Sequence, residues 1–192
     1  MPRAGLDPAV VVAAAAALAD EVGLPDVTMS LLAARLGVRA PSLYKHVDGQ
    51  ADLHRRIATL ALTELGDTLR DALQGRSGRD ALAAAAGALR RYAAEHPGRY
   101  AATVRVDADE TDTALLAAGD RVLESLAATV AAYPVAPGDA VHVLRMVRSL
   151  FHGFAVIEAA GGFQLATDRD ASVEWFVDFL DRGLSAACWV RA

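Results

Sequence analysis

A single cysteine, Cys188, excludes an intrachain disulfide framework, and the chain reads as one built for the reducing cytoplasm. Aromatic residues fill only 6% of the 192 positions, so a core has to come from Ala, Leu and Val, which favour helix. Alternating strand patterns are almost absent, and the expected fold is all-α. No apolar run reads as long enough to span a bilayer, so no membrane partner is expected. Near the start, Arg3 followed by AVVVAAAAALA imitates a secretory signal. Asp7 and Pro8 make a natural helix entry there, and the run continues into Asp20 and Glu21, so the stretch reads as a first helix.

Catalytic signatures are also missing. The five histidines, His46, His54, His96, His142 and His152, include no H-x-x-x-H or H-E-x-x-H pair, so no zinc site is expected. Ser149 and His152 share a helix face, but no nucleophile elbow or acid completes a triad. With no GxGxxG or Walker-type glycine loop either, the chain reads as neither an enzyme nor a cofactor binder.

Charge of positive sign is scarce overall, with a formal net of -5, which argues against a generally basic nucleic-acid binder. Its distribution changes that conclusion. Between residues 35 and 56 stand Arg35, Arg39, Lys45, Arg55 and Arg56 against Asp48 and Asp52, a local surplus of three. Such a head attracts phosphates while an acidic body discourages indiscriminate binding.

What the chain does have is the run TMSLLAARLGVRAPSLYKHV, residues 28–47, which carries its only lysine. Thr28 is placed to cap a helix that buries Leu32 and Leu36, and Gly37 can supply the positive φ of a tight corner. A second helix, 39–47, turns Ala40, Leu43 and Val47 inward and Pro41, Tyr44 and Lys45 outward on a wheel of about 100° per residue. Two helices joined this closely form a helix-turn-helix whose second member fits a DNA major groove. Val11, Ala14, Leu18 and Val22 give the first helix an inner stripe to support it.

These residues carry a resemblance. GVRAPSLYKHV, followed by Asp52 and Leu53, resembles the helix-turn-helix of TetR-family transcriptional regulators, and residues 8–57 follow its order. The chain departs from that pattern at Arg39, where Ser or Thr is common nearby, and at Gln50, where the family has a lysine. The second departure implies one phosphate contact fewer. The resemblance implies a DNA-binding regulator, commonly a repressor, that meets double-stranded operator DNA. By placement, Thr28 and Tyr44 fall to phosphates, Lys45 to a phosphate or alternatively a guanine, Arg39, Pro41 and Ser42 to bases, and His46 to either.

Beyond this head, set at residues 1–56, a larger helical body is expected over 57–192. Helical patterns run over about 51–73, 80–95, 99–106, 113–132, 139–160 and 171–189, separated by QGRSGR, Pro97-Gly98, DADETD, Pro134 with Pro137, and Gly161-Gly162. The 139–160 helix is apolar nearly all round and needs more than one packing partner. SLFHGFAVIEAAGGF, residues 149–163, resembles the body of a TetR subgroup marked by Trp-His-Gly, with Phe151 in place of the Trp and His152 and Gly153 matching.

That resemblance implies a homodimer through the last two helices and a small-molecule effector cavity. The seam is expected at Val143, Val147, Leu150, Phe154, Phe176 and Leu180. Candidate cavity residues are Tyr92, Tyr100, Arg105, His142, Met146, Phe151, His152 and Trp175. For most of these the plainer reading is core packing, and Asp107 and Glu110 are near enough in sequence to neutralise Arg105. A protein-interaction adaptor without DNA binding is the competing function. It would show exposed leucines or aromatics where Tyr44, Lys45, Arg39 and Ser42 stand.

Overall fold

The computed structural model describes residues 6–104 and 111–186. Its helices are α1 (Pro8–Val22), α2 (Met29–Leu36), α3 (Ala40–Leu43), α4 (Gly49–Leu73), α5 (Gly78–Glu95), α6 (Pro97–Ala102), α7 (Thr113–Val130), α8 (Ala140–Ala159) and α9 (Arg169–Ser185), with a 3-10 turn at Leu24–Asp26. No strand occurs among the described residues, and the all-α fold with a helix-turn-helix head and a larger body stands.

Two compact units form, Met1–Glu64 with Glu95–Gly119, and Leu65–Ala94 with Asp120–Ala192. The boundary read at 56/57 falls inside the unbroken helix α4, and the α6 segment groups with the head. Chain order hid this, because residues 95–119 return to the first unit after α5 has run through the second.

In the first unit, Asp7 caps α1 by accepting the Val10 amide at 2.8 Å, and Pro8 stands where a missing N–H costs nothing. The inner face of α1 is Val11, Ala15, Ala16, Leu18 and Ala19. Ala14 is only half-buried and Val22 is exposed, which corrects the expected stripe. The cause is that α1 packs against α6 as well as α2, so its alanine-rich surface is buried over a wider arc than one stripe. Leu36 is likewise half-buried while Leu32 is fully enclosed. At α6, Arg99 bridges Asp20 of α1 (3.0 Å) and Glu64 of α4 (3.2 Å), and its backbone amide donates to Asp20 Oδ1 at 2.9 Å.

In the second unit the aromatic core joins α8 to α9: Phe176 lies 6.0 Å from Phe151 and 5.5 Å, edge-on, from Phe154. Three polar ties surround it. Arg79 of α5 reaches Glu174 (2.6 Å) and Asp178 (2.7 Å), Arg90 reaches Glu158 (2.6 Å) and Asp170 (2.5 Å), and the Tyr133 hydroxyl donates to Asp181 (2.7 Å). The carboxylates hold both guanidiniums more firmly protonated than usual. Arg79 and its two carboxylates are largely solvated, so that tie serves register more than stability, whereas Arg90 and Glu158 are mostly covered.

Helix α8 corrects one expectation. By length and composition alone it could cross a membrane, contrary to the expectation that no run is long enough. Only part of its surface is buried, and Val141, Met146, Val156 and Ile157 are exposed. A helix apolar all round, covered on one side by its own body, leaves the other side for a further partner.

Candidate nucleic-acid interface

The corner between α2 and α3 follows from a few residues. Thr28 caps α2, its Oγ1 accepting the Leu31 amide at 3.2 Å. Gly37 closes α2 in the left-handed region at φ 65, ψ 30, and the Val38 amide donates back to the Ala33 carbonyl at 3.0 Å. Arg39 is extended, and Pro41 in the first turn of α3 fits because no amide is needed there.

Helix α3 is shorter than the expected 39–47. Regular helix ends at Leu43, and residues 44–46 continue as a turn in which the His46 and Val47 amides both donate to the Leu43 carbonyl, at 2.8 and 3.1 Å. Leu43 (0%) and Val47 (2%) are the buried anchors. Opposite them stand Tyr44, 56% exposed, and the exposed Arg39, Pro41 and Lys45, with Ser42 and His46 half-buried. Thr28 is exposed at the start of α2. The outward set read from the helix wheel is therefore outward in the fold.

The cation surplus is redistributed by pairing. Arg35 grips Glu21 through two 2.6 Å bonds, and Arg55 (3.1 Å) and Arg56 (2.8 Å) both hold Asp52. Arg39 and Lys45 are in no ion pair among the described residues. The charge count could not separate these two from the other three, because pairing across 14 residues or along a helix is a property of the fold.

Asp52 is buried and also accepts the Asp48 amide at 2.9 Å, which fixes the start of α4 directly after Val47. Burial works to raise the Asp52 carboxyl, but the Asp48 amide, Arg56 and Arg55 outweigh it and hold it below the usual carboxylate range. With the folded value below the unfolded one, the associated stability is complete above an unfolded value of about 3.9 and is lost as pH falls through the folded value. The melting temperature of Asp52→Asn, followed by circular dichroism, should therefore fall less steeply than the parent's below about pH 4. An unchanged acid slope would show that this carboxylate carries no weight.

The candidate effector residues are not brought together. Tyr92 is buried in the second unit and Tyr100 in the first; Phe151 is core and His152 is half-buried. Burial, with Arg148 adding to it, holds the His152 imidazole below its ordinary value and so neutral near pH 7. His142, Met146 and Trp175 are exposed, and Arg105 lies outside the described residues. A recess of about 270 Å³ in the second unit is lined instead by Gly66, Arg70, Gln74, Arg121, Glu124 and Ser125 of α4 and α7. Gly66 was the one available signal: a Cβ there would stand 3.1 Å from that of Arg121, so the crossing is tight.

The seam residues need the opposite correction. Val143, Val147, Phe176 and Leu180 are buried in their own chain, and Leu150 and Phe154 are half-buried, with the Phe154 ring 4.7 Å from that of Phe163. The most apolar stripe of a helix goes to its own core. What remains outside on α8 and α9 is Val141, Met146, Val156, Ile157, Trp175 and Phe179, the last two stacked 5.7 Å apart.

A capped helix, a left-handed glycine corner and a short helix presenting Arg39, Pro41, Tyr44 and Lys45 over a Leu43/Val47 anchor define a helix-turn-helix regulator. Comparison with known proteins gives the family. Residues 11–57 match "Bacterial regulatory proteins, tetR family", and residues 82–180 match "Tetracyclin repressor-like, C-terminal domain". The chain is 33% identical over 189 residues to the uncharacterized HTH-type transcriptional regulator YobS of Bacillus subtilis (strain 168), spanning 95% of both proteins. Among solved structures it is similar to a protein of unknown function from Rhodococcus sp. RHA1 (TM-score 0.80, 25% identity, 96% of this chain and 99% of that one). It is also similar to a single-site variant of TetR from Acinetobacter baumannii AYE, solved in complex with minocycline (TM-score 0.68, 26% identity, 93% and 96%). The chain belongs to the TetR family of DNA-binding transcriptional regulators.

Proposed function

We propose that the protein is a cytoplasmic homodimeric repressor whose two heads occupy successive major grooves of a near-palindromic operator, and that a small molecule bound in the body releases it. The outward face at α3 carries the DNA half of this reading. Half-site centres would lie about 34 to 36 Å apart, or a multiple of that. Tyr44, Lys45 and Thr28 would meet phosphates, the Thr28 hydroxyl proton being left to donate while its oxygen caps α2. Arg39, Pro41 and Ser42 would meet bases, with His46 at the edge. No chemical step and no cofactor belong to this reading.

The similarity to a minocycline-bound TetR supports a ligand in the body. The α4–α7 recess, at about 270 Å³, is slightly below the roughly 300 to 1,000 Å³ of drug-sized sites, so a ligand held there alone would be small. Whatever binds can shift the dimer between spacings only by its difference in affinity for them.

The test is selection of duplexes from a random pool, then binding by variants. Tyr44→Ala should weaken the selected duplex by roughly 1 to 3 kcal/mol with the oligomeric state intact. Equal affinity would remove Tyr44 from the contact surface. If the parent protein retained no duplex at low salt, the DNA reading would fail.

A further inference from the structure

Gln50 stands in the first turn of α4, where the family resemblance places a lysine, and it is turned inward. Its side-chain amide donates to the backbone carbonyl of Val27, 23 residues earlier, and lies 2.7 Å from His54 Nε2 on the next turn of α4. One amide nitrogen carries two protons, so both contacts are satisfied together when the His54 Nε2 accepts and its proton sits on Nδ1. Val27 is fully buried and immediately precedes Thr28, the cap of α2. The bridge therefore ties the start of α4 to the start of α2.

This matters because of what lies between them. Helix α3 has four residues, too few to hold a direction through its own hydrogen bonds. It hangs from α2 at the Gly37 corner and from α4 through Val47 and the Asp48 amide that Asp52 accepts. Its orientation is set by how α2 and α4 stand to each other.

We propose that Gln50 is a positioning residue for DNA reading: through Val27 and His54 it fixes the α2–α4 frame that aims α3, and it makes no phosphate contact itself. The proposal rests on the head binding duplex DNA. It replaces the simpler idea of a lost contact with an exchange, one cationic contact given up for a rigid frame.

The experiment uses the full-length protein and a duplex that the parent selects from a random pool, with affinity measured across a salt series. Gln50→Met keeps the length of the side chain and removes both donors. Affinity should drop about 3- to 10-fold. The slope of log K against log salt should stay within error of the parent's, and the melting temperature within about 4 °C. His54→Ala should show a smaller loss of the same kind, and the double variant should bind no worse than Gln50→Met alone, since both act through one bridge.

Unchanged affinity in Gln50→Met overturns the proposal. So do fully additive losses in the double variant, which would mark a contact made by Gln50 itself and not through the bridge to His54. Should Gln50→Met fail to fold, His54→Ala alone decides: an affinity equal to the parent's overturns the proposal. A parent that retains no duplex fails the regulator reading instead, and is recognised before any variant is made.

Discussion

The double substitution Trp175→Glu with Phe179→Glu should yield a folded monomer in sedimentation, with duplex affinity at least about 100-fold below the parent's. The two rings are 65% and 58% exposed and stacked with an interplanar angle of 9°, so neither is needed to complete the core of its own chain. On the neighbouring helix, Met146, Val156 and Ile157 add to the same kind of surface. Exposed apolar side chains on two helices that pack on each other through Phe151, Phe154 and Phe176 are the kind of surface that a partner subunit covers.

In a two-fold interface every substitution enters twice. Four carboxylates would then be buried without partners, each costing about 3 to 5 kcal/mol, enough to abolish a dimer. A monomer presents one head, loses the effective concentration of the second, and so loses DNA affinity although no DNA contact was touched. The contrast variant is Leu180→Glu. Leu180 is buried within its own chain, so that change should lose helicity along with assembly. Unchanged sedimentation of Trp175→Glu/Phe179→Glu would place the seam elsewhere.

Gly98→Ala should destabilise the head by about 3 kcal/mol or more, seen as a lower melting temperature of the full chain. The backbone of α6 crosses that of α1 so closely that a Cβ at Gly98 would stand 2.0 Å from the Ala19 carbonyl oxygen and 2.6 Å from the Asp20 amide nitrogen. Inside a helix, alanine ordinarily gains about 1 kcal/mol over glycine. Here that gain is outweighed, because the obstructing atoms are backbone and cannot rotate away. The Ala19 carbonyl is also held by the Gly23 amide at 2.9 Å, so a shift would disturb the end of α1.

Separating α6 from α1 would also strand Asp20 and Glu64, which Arg99 now holds. A neutral or stabilising effect would mean that α6 can move off α1 without cost. Ser at the same position should behave like Ala, since the clash begins at the first side-chain atom.

Much of the reading face was legible. Leu43 and Val47 had to be buried, and Tyr44 and Lys45 exposed, because a short helix advances by a fixed angle and has one apolar side. Gly37 in the left-handed region and Thr28 as a cap followed from residue chemistry at the two ends of one helix. The true length of α3 was less accessible. Tyr44 and Lys45 can continue a helix by propensity, and the pull that ends it is Asp52 drawing the Asp48 amide into the start of α4.

The body was legible as helices and misread as surfaces. As the most apolar stripe of α8, Val143 and Val147 suit a seam by pattern, and they are buried in their own chain instead. Periodicity reports how apolar a face is, and says nothing about which neighbour covers it. Trp175 looked like a cavity residue for a similar reason: an aromatic among polar neighbours is equally suited to a pocket wall and to an interface.

By itself, the sequence determined that the chain is helical and roughly where most helices lie, and that a helix-turn-helix presents Arg39, Pro41, Tyr44 and Lys45 outward. These depend on propensity, capping and angular spacing, all carried by residues within a few positions of one another. The tertiary structure alone decided which cations stay unpaired, that α6 belongs with the head against α1, and which side of α8 is left open. Each of those depends on groups many residues apart in the chain, and only the packed fold sets their distances.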